Sequence, residues 1–266
     1  MTIETSPKTE SLTEVTPDWE SPMPPTDLIF DDGEPLETNR HRIAMNVLID
    51  SLSEYWSDRN DFFAGGNMFV YYSSKRVKNQ DFRGPDFFVV LNVERHTGRK
   101  GWVVWEEGGR YPDVIIEITS PSTASVDIGT KKDIYEQVFQ TTNYFVFDPF
   151  DPNSLQGWHL KNNKYQELQQ NDQGWLWCEK LELWLGTWEG TIRDESATWL
   201  RFYDAQGNLV LDFGEQQQQR AEQQQQRAEQ QQQRAEQQQQ RAEQQQQRAE
   251  RLAAKLKELG IDPDSV

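Results

Sequence analysis

Cysteine is almost missing from this chain. Cys178 stands alone, so neither an intramolecular disulfide nor a thiolate zinc site can form, and it reads as a small core residue in a reducing compartment. Long apolar runs are missing too. No stretch approaches the roughly 20 apolar residues of a membrane span, and the opening MTIETSPKTESLTEVTPDWESPMPP has neither a basic leader nor a signal-length apolar run. A soluble cytoplasmic protein with no membrane partner is the expectation. There is no Walker loop, no G-x-G-x-x-G, no Cys/His zinc spacing and no G-x-S-x-G elbow, which removes the common nucleotide, zinc and serine-hydrolase chemistries.

Bases are scarce. Lys and Arg total 27 against 44 acids, a formal charge of -17 that argues against a general polyanion binder. The deficit is uneven. Residues 1–37 carry ten acids against Lys8, whereas residues 75–110 carry Lys75, Arg76, Lys78, Arg83, Arg95, Arg99, Lys100 and Arg110 against five acids. That basic stretch reads equally well as solvated hairpin surface or as a phosphate-facing patch.

What is present divides the chain into four parts. Residues 1–36, rich in Pro, Ser, Thr and acids without periodicity, predict a disordered acidic arm. Residues 37–213 hold the apolar content. Ile43, Val47, Leu48 and Leu52, with Met45, Ile49 and Tyr55 widening the face, predict an amphipathic helix over 38–57 capped by Thr38 or Asn39. FFAGGNMFVYY, DFFVVLNV, GWVVW and DVIIEIT read as strands, residues 127–140 as a second helix and NYFVFDP as a buried strand. The order predicts an α/β (α+β) domain with a partly parallel mixed sheet flanked by helices.

From 155 to 213, turn pairs at Asn162-Asn163, Gln173-Gly174 and Gly207-Asn208 predict hairpins extending that sheet. Six of the ten tryptophans lie there, and packing accounts for them better than a stacking platform for bases or sugars. Residues 214–260 repeat EQQQQRA from Glu215 with a seven-residue period, which predicts a long helix opened by an Asp212/Glu215 capping box and ended at Gly260, before a short tail at 261–266. One alanine per repeat is no two-position seam, and only Leu252, Leu256 and Leu259 form an apolar stripe. A solvated spacer and an oligomerisation rod both remain open.

Two Pro-Asp pairs open strands: Pro85-Asp86 before FFVVLNV and Pro112-Asp113 before VIIEITS. Glu117 is the anomaly, a carboxylate in the middle of an apolar strand. It faces solvent on an edge, pairs with a buried cation, or ligates a hard metal ion. Downstream, Ser120-Pro121-Ser122-Thr123 is followed by Asp127, Lys131 and Tyr135 at i, i+4 and i+8.

PDFFVV, PDVIIEITSPST, D-x-x-x-K-x-x-x-Y and a strand ending in Asp-Pro, in that order over residues 37 to 190, resemble the Uma2 or DUF820 group of the PD-(D/E)xK nuclease superfamily, which has a restriction-endonuclease-like fold. The resemblance implies a metal-dependent endonuclease acting on nucleic acid, DNA rather than RNA. It implies Asp86 and Glu117 as ligands of Mg²⁺ or Mn²⁺, which would acidify a bound water and neutralise phosphate charge.

The superfamily lysine normally stands two residues beyond the second acid, and here that place is Thr119. Lys131 matches the helix motif and is the substitute, with Lys132 turned away by about 100°. Glu37 and His41, at i and i+4, match an acid and histidine near the start of the domain, as additional ligand and proton-transfer candidate. Equally, they are a dipole-favourable acid and an ordinary exposed histidine. Asp113 is a reserve ligand, about 13 Å from Glu117 along an extended strand. The alternative from another class is a catalytically inactive nuclease-fold binding or assembly protein with a helical spacer, a homo-oligomer through the domain or the C-terminal helix.

Overall fold

The computed structural model describes residue 28 and residues 38–73, 82–96, 98–120 and 122–258. Most of the acidic arm, Glu37, Lys75, Arg76, Lys78, Pro121, Leu259, Gly260 and the tail lie outside the described residues. The chain divides into a unit of residues 1–210 and a unit of residues 211–266.

In the first unit, helix α1 (Asn39–Tyr55) starts at Thr38, whose hydroxyl accepts the His41 backbone N–H. Ile43, Ala44, Met45, Val47, Leu48 and Leu52 are buried along one face, as the periodicity predicts, while Tyr55 at the helix end is 46% exposed. The strands are β1 (Phe62–Gly65), β2 (Val70–Tyr71), β3 (Phe82–Arg83), β4 (Phe87–Leu91), β5 (Trp102–Val103), β6 (Val114–Ile118) and β7 (Asn143–Phe147). They continue with β8 (Gln156–Lys161), β9 (Lys164–Glu167), β10 (Leu176–Cys178), β11 (Leu183–Ile192) and β12 (Glu195–Tyr203).

The main sheet runs β1-β4-β6-β7-β8-β9, antiparallel except for the parallel β6/β7 pair. A parallel neighbour needs a crossover, and the helical segment over residues 124–139, called α2, supplies it. Both faces of the sheet are covered, which is why β4, β6 and β7 are buried at every position and read as continuous apolar runs rather than alternating ones. On one face Phe88, Val90, Ile115 and Tyr144 pack with Tyr135 and Phe139 of α2. On the other Phe87, Val89, Ile116 and Ile118 pack with α1 and with Leu183, Leu185, Trp199 and Phe202.

The hairpins divide between two sheets, where the sequence predicts one extended sheet. β8 and β9 join the main sheet through Asn162-Asn163, both at positive φ, the backbone of a two-residue turn that matches strand twist. β10, β11 and β12 form their own antiparallel sheet, and β2, β3 and β5 a third small one. The inner faces of β11 and β12 are apolar because they cover α1 and the main sheet, so this region is a second layer rather than an extension. Tryptophan here serves packing: Trp199 is fully buried, and Trp175 stacks on Tyr203 with ring centroids 3.9 Å apart. Cys178 lies in the same core, where burial pushes its thiol up to about 12.

α2 is continuous but not regularly α-helical. An α turn (Ala124–Val126) leads into a π-helical segment (Asp127–Lys131), a second α turn (Lys132–Ile134) and a second π-helical segment (Tyr135–Phe139). The Ser120–Thr123 turn starts it, with Ser120 N–H donating to the Thr123 hydroxyl at 3.0 Å. Gln140, in the left-handed region, ends it.

In the second unit, helix α3 (Phe213–Glu258) has the predicted capping box: Asp212 N–H donates to Glu215 Oε2 and Glu215 N–H to Asp212 Oδ1, each 2.9 Å. No residue of α3 is buried. Gln218 donates to Glu222 four residues on, and the bond recurs every seven residues to Gln246–Glu250. These i,i+4 bonds, together with good helix formers, support a helix that has no core to lie on.

Candidate active site

Proline placement sets up the first pair of residues. Pro85 has no N–H to lose at the mouth of β4, and the chain enters the sheet two residues later at Phe87. The register Phe87↔Ile116 brings Asp86 opposite Glu117. Side chains alternate along strands, so Asp86 shares a face with Phe88 and Val90, and Glu117 shares one with Ile115. All project toward the α2 layer. Two hydrogen bonds bind the pair: Asp86 N–H donates to Glu117 Oε2 at 3.4 Å, and Ile118 N–H donates to Asp86 Oδ2 at 2.8 Å.

Glu117 is fully buried, which excludes a solvent-facing edge position for this mid-strand carboxylate. Tyr135 OH donates to its Oε1 at 2.7 Å, and Lys131 Nζ stands 3.2 Å from its Oε2. Lys131 is also 2.8 Å from Oδ1 of Asp127, itself buried. The D-x-x-x-K-x-x-x-Y motif therefore lines up on one carboxylate. An α-helix would carry i, i+4 and i+8 about 40° further round at each step. π segments, at about 4.4 residues per turn, carry them back the other way. Mixing the two keeps Asp127, Lys131 and Tyr135 in one line facing the sheet.

The electrostatics follow from burial. Asp86 is half-buried, and its carboxyl is held well above the usual carboxylate range, first by desolvation and then by the Glu117 charge, with Lys131 opposing. Desolvation alone would lower Lys131, but the Glu117 and Asp127 carboxylates outweigh it and the ammonium is held above its ordinary value. Burial, then Glu117, pushes the Tyr135 hydroxyl up as well, so it stays a proton donor. Three carboxylates and one ammonium thus share a largely buried cluster. Ionised, it carries two uncompensated negative charges, which costs several kcal/mol in a protein interior.

That imbalance is what a divalent cation would correct. Asp86 Oδ2 takes the Ile118 N–H, Glu117 Oε1 the Tyr135 hydroxyl, and Glu117 Oε2 the Asp86 N–H beside the Lys131 ammonium. Oxygen donors suit a hard ion such as Mg²⁺, which takes one or two carboxylates and fills its remaining positions with water and substrate phosphate. No group of three or more His, Cys, Asp or Glu that could hold a metal occurs among the described residues.

The other sequence candidates are placed elsewhere or lie outside the described residues. Glu37 belongs to the latter. His41 is buried, not an exposed helix-end residue: its Nδ1 meets the Thr38 hydroxyl at 2.8 Å and its Nε2 the carbonyl of Thr119 at 3.2 Å. A carbonyl only accepts, so Nε2 carries the proton. The ring ties the start of α1 to the end of β6. Thr119, at the usual lysine place, is buried and donates its N–H to Phe147 O. Asp113 sits at the far end of β6, accepting Leu91 N–H at 2.8 Å beside Arg110 and Lys180. Lys132 lies over the Trp158 ring.

Sequence reasoning missed Gly66 and gave Asp127 no part in the site. Asp127 was visible only as a motif letter. Gly66 lies where a Cβ would stand 2.5 Å from the carbonyl oxygen of Asp86, so only glycine lets the two backbones pass. The Gly-Gly pair followed by Asn67 at positive φ was its one signal.

A mixed sheet with a βαβ crossover and an acid pair on adjacent strands is the arrangement expected of a restriction-endonuclease-like domain. The family model described as "Uma2: Putative restriction endonuclease" matches residues 17–189, well over half of the chain, and the protein belongs to that family. Among solved structures it is similar to one described as "a putative nuclease belonging to DUF820" from Anabaena variabilis ATCC 29413. The identity is 13% and the TM-score 0.41, over 56% of this chain and 76% of the other. No curated protein matches. No helix among the described residues is long and apolar enough to cross a membrane.

Proposed function

We propose that the protein is a metal-dependent endonuclease that hydrolyses phosphodiester bonds in nucleic acid, with DNA as substrate. The observation that carries this reading is the charge imbalance of the Asp86, Glu117, Asp127 and Lys131 cluster. Asp86 and Glu117 would hold Mg²⁺ or Mn²⁺. When bound, such an ion acidifies a coordinated water and neutralises charge on the phosphate.

The chain's own residues do the rest. Tyr135 fixes the Glu117 carboxylate through Oε1 and leaves Oε2 directed toward Asp86 and Lys131. Lys131, 22% exposed at its side chain, stands where an ammonium can reach both the carboxylate pair and an incoming phosphate oxygen. It substitutes for the strand lysine that Thr119 replaces. Glu37 is an additional ligand in this reading. His41 keeps the end of β6, and therefore Glu117, in register.

The test is nicking of plasmid DNA and of RNA by the full chain with Mg²⁺ or Mn²⁺, compared with Asp86→Ala and Glu117→Ala. Each substitution is expected to abolish cleavage in a protein that still folds. Cleavage that survives both sinks the proposal. If wild type neither cleaves nor takes up Mn²⁺, the non-catalytic binding or assembly reading stands instead.

A further inference from the structure

Asp127 is harder to explain than Lys131. Its side chain is buried, a costly place for a carboxylate, and it adds a third negative charge to a site that already holds two. If ion-pairing Lys131 to Glu117 were all the cluster had to do, Asp127 would be unnecessary. The ammonium in fact lies nearer Asp127, 2.8 Å against 3.2 Å.

The geometry matters once Glu117 takes a second partner. Any dication on the Asp86/Glu117 pair repels an ammonium beside it. A lysine whose sole anchor was Glu117 would then either compete for Oε2 or swing out toward solvent. Asp127 prevents both outcomes, because it sits one step back on the same line of α2 and is fixed by burial and by helix geometry. Its backbone carbonyl is itself held by the hydroxyl of Tyr144 at 2.9 Å.

We propose that Asp127 is a positioning residue that keeps Lys131 beside Glu117 while leaving Glu117 Oε2 available to a divalent cation. This rests on the metal-binding reading above and adds a role for a residue outside the ligand pair. Asp127 acts through Lys131, not by attracting the ion with its own charge. Removing Asp127 transfers the ammonium to Glu117 and turns Lys131 into a competitor of the metal.

A calorimetric Mn²⁺ titration of the full chain separates these cases, using wild type, Asp127→Asn, Lys131→Met and the double variant. Asp127→Asn is expected to weaken Mn²⁺ binding about 10- to 100-fold, the usual effect of losing an outer partner of a metal site. In the Lys131→Met background the same change should have little effect, since no ammonium remains to compete. Asp127→Glu, which keeps the charge, should retain most of the affinity.

An equal loss in both backgrounds overturns the proposal, because Asp127 would then act by its own charge. So does wild-type affinity in Asp127→Asn. If Lys131→Met does not fold, Lys131→Gln serves in the same cycle. Absence of Mn²⁺ binding by wild type would overturn the metal reading itself and this inference with it, an outcome distinct from a failed cycle.

Discussion

Asp86 and Glu117 each hold the other's strand: the N–H of Asp86 donates to the Glu117 carboxylate, and the Asp86 carboxylate takes the N–H of Ile118, the residue next to Glu117. The two acids are therefore fixed by the same hydrogen bonds that fix the β4/β6 edge, and changes at either are felt in stability as well as in chemistry.

Asp86 destabilises the metal-free fold at neutral pH. Its folded-state proton affinity is raised above the unfolded value of 3.8. The folded form therefore binds more protons between 3.8 and the raised value, and stability falls as pH climbs through that window. Asp86→Asn should remove this contribution. Urea unfolding of metal-free protein is expected to show the variant gaining on wild type as pH rises from about 4 through neutrality; a constant difference would contradict it.

Tyr135→Phe removes one hydroxyl from a fully buried site and leaves Glu117 Oε1 without its donor. The expected cost is about 1–3 kcal/mol. Denaturant midpoints measure it. Cleavage should fall with it at saturating Mg²⁺, because the carboxylate is then free to rotate.

His41→Gln tests whether the histidine moves protons or holds backbone. Loss of the ring contact to the Thr119 carbonyl is expected to destabilise by about 1–3 kcal/mol. The pH–rate profile of the surviving activity should keep its shape. A profile that loses a limb in the variant would make His41 a proton-transfer group.

Gly66→Ala places a Cβ against the Asp86 carbonyl and Met45. The backbone before β4 must shift, which is expected to cost about 1–3 kcal/mol and to weaken Mn²⁺ binding. Calorimetry and thermal unfolding together check this. Wild-type affinity would show that Asp86 tolerates the shift.

Much of the fold was legible because both faces of the sheet are covered: runs as short and as continuously apolar as FFVVL and VIIEI, bounded by turn residues, fit a strand buried on two sides. α1 was legible from its period, and its cap from Thr38. The division of the hairpins into two sheets was not, because alternation along β11 and β12 tells which residues are inward but not which layer they meet. Asp86 and Glu117 could be found as acids at a strand mouth and in a strand interior. Lys131 could be found as the helix lysine that reaches back to them; the buried contacts of Asp127 and Tyr135 could not, because alignment over two turns depends on a helix that departs from about 3.6 residues per turn.

The π segments of α2 also make the count of residues in this helix a functional quantity. Removing a single residue between Asp127 and Phe139 would let the segment relax toward a regular helix, gaining backbone order. Gly129, whose missing side chain no neighbour requires, is the natural place for such a trim. In a regular helix Asp127 and Tyr135, then seven residues apart, would stay within about 20° of one line, while Lys131, three residues from Asp127, would turn about 60° off it. Shortening this helix is thus a route by which the fold could grow sturdier while its acid pair loses the ammonium beside it, with every site residue still present in the sequence.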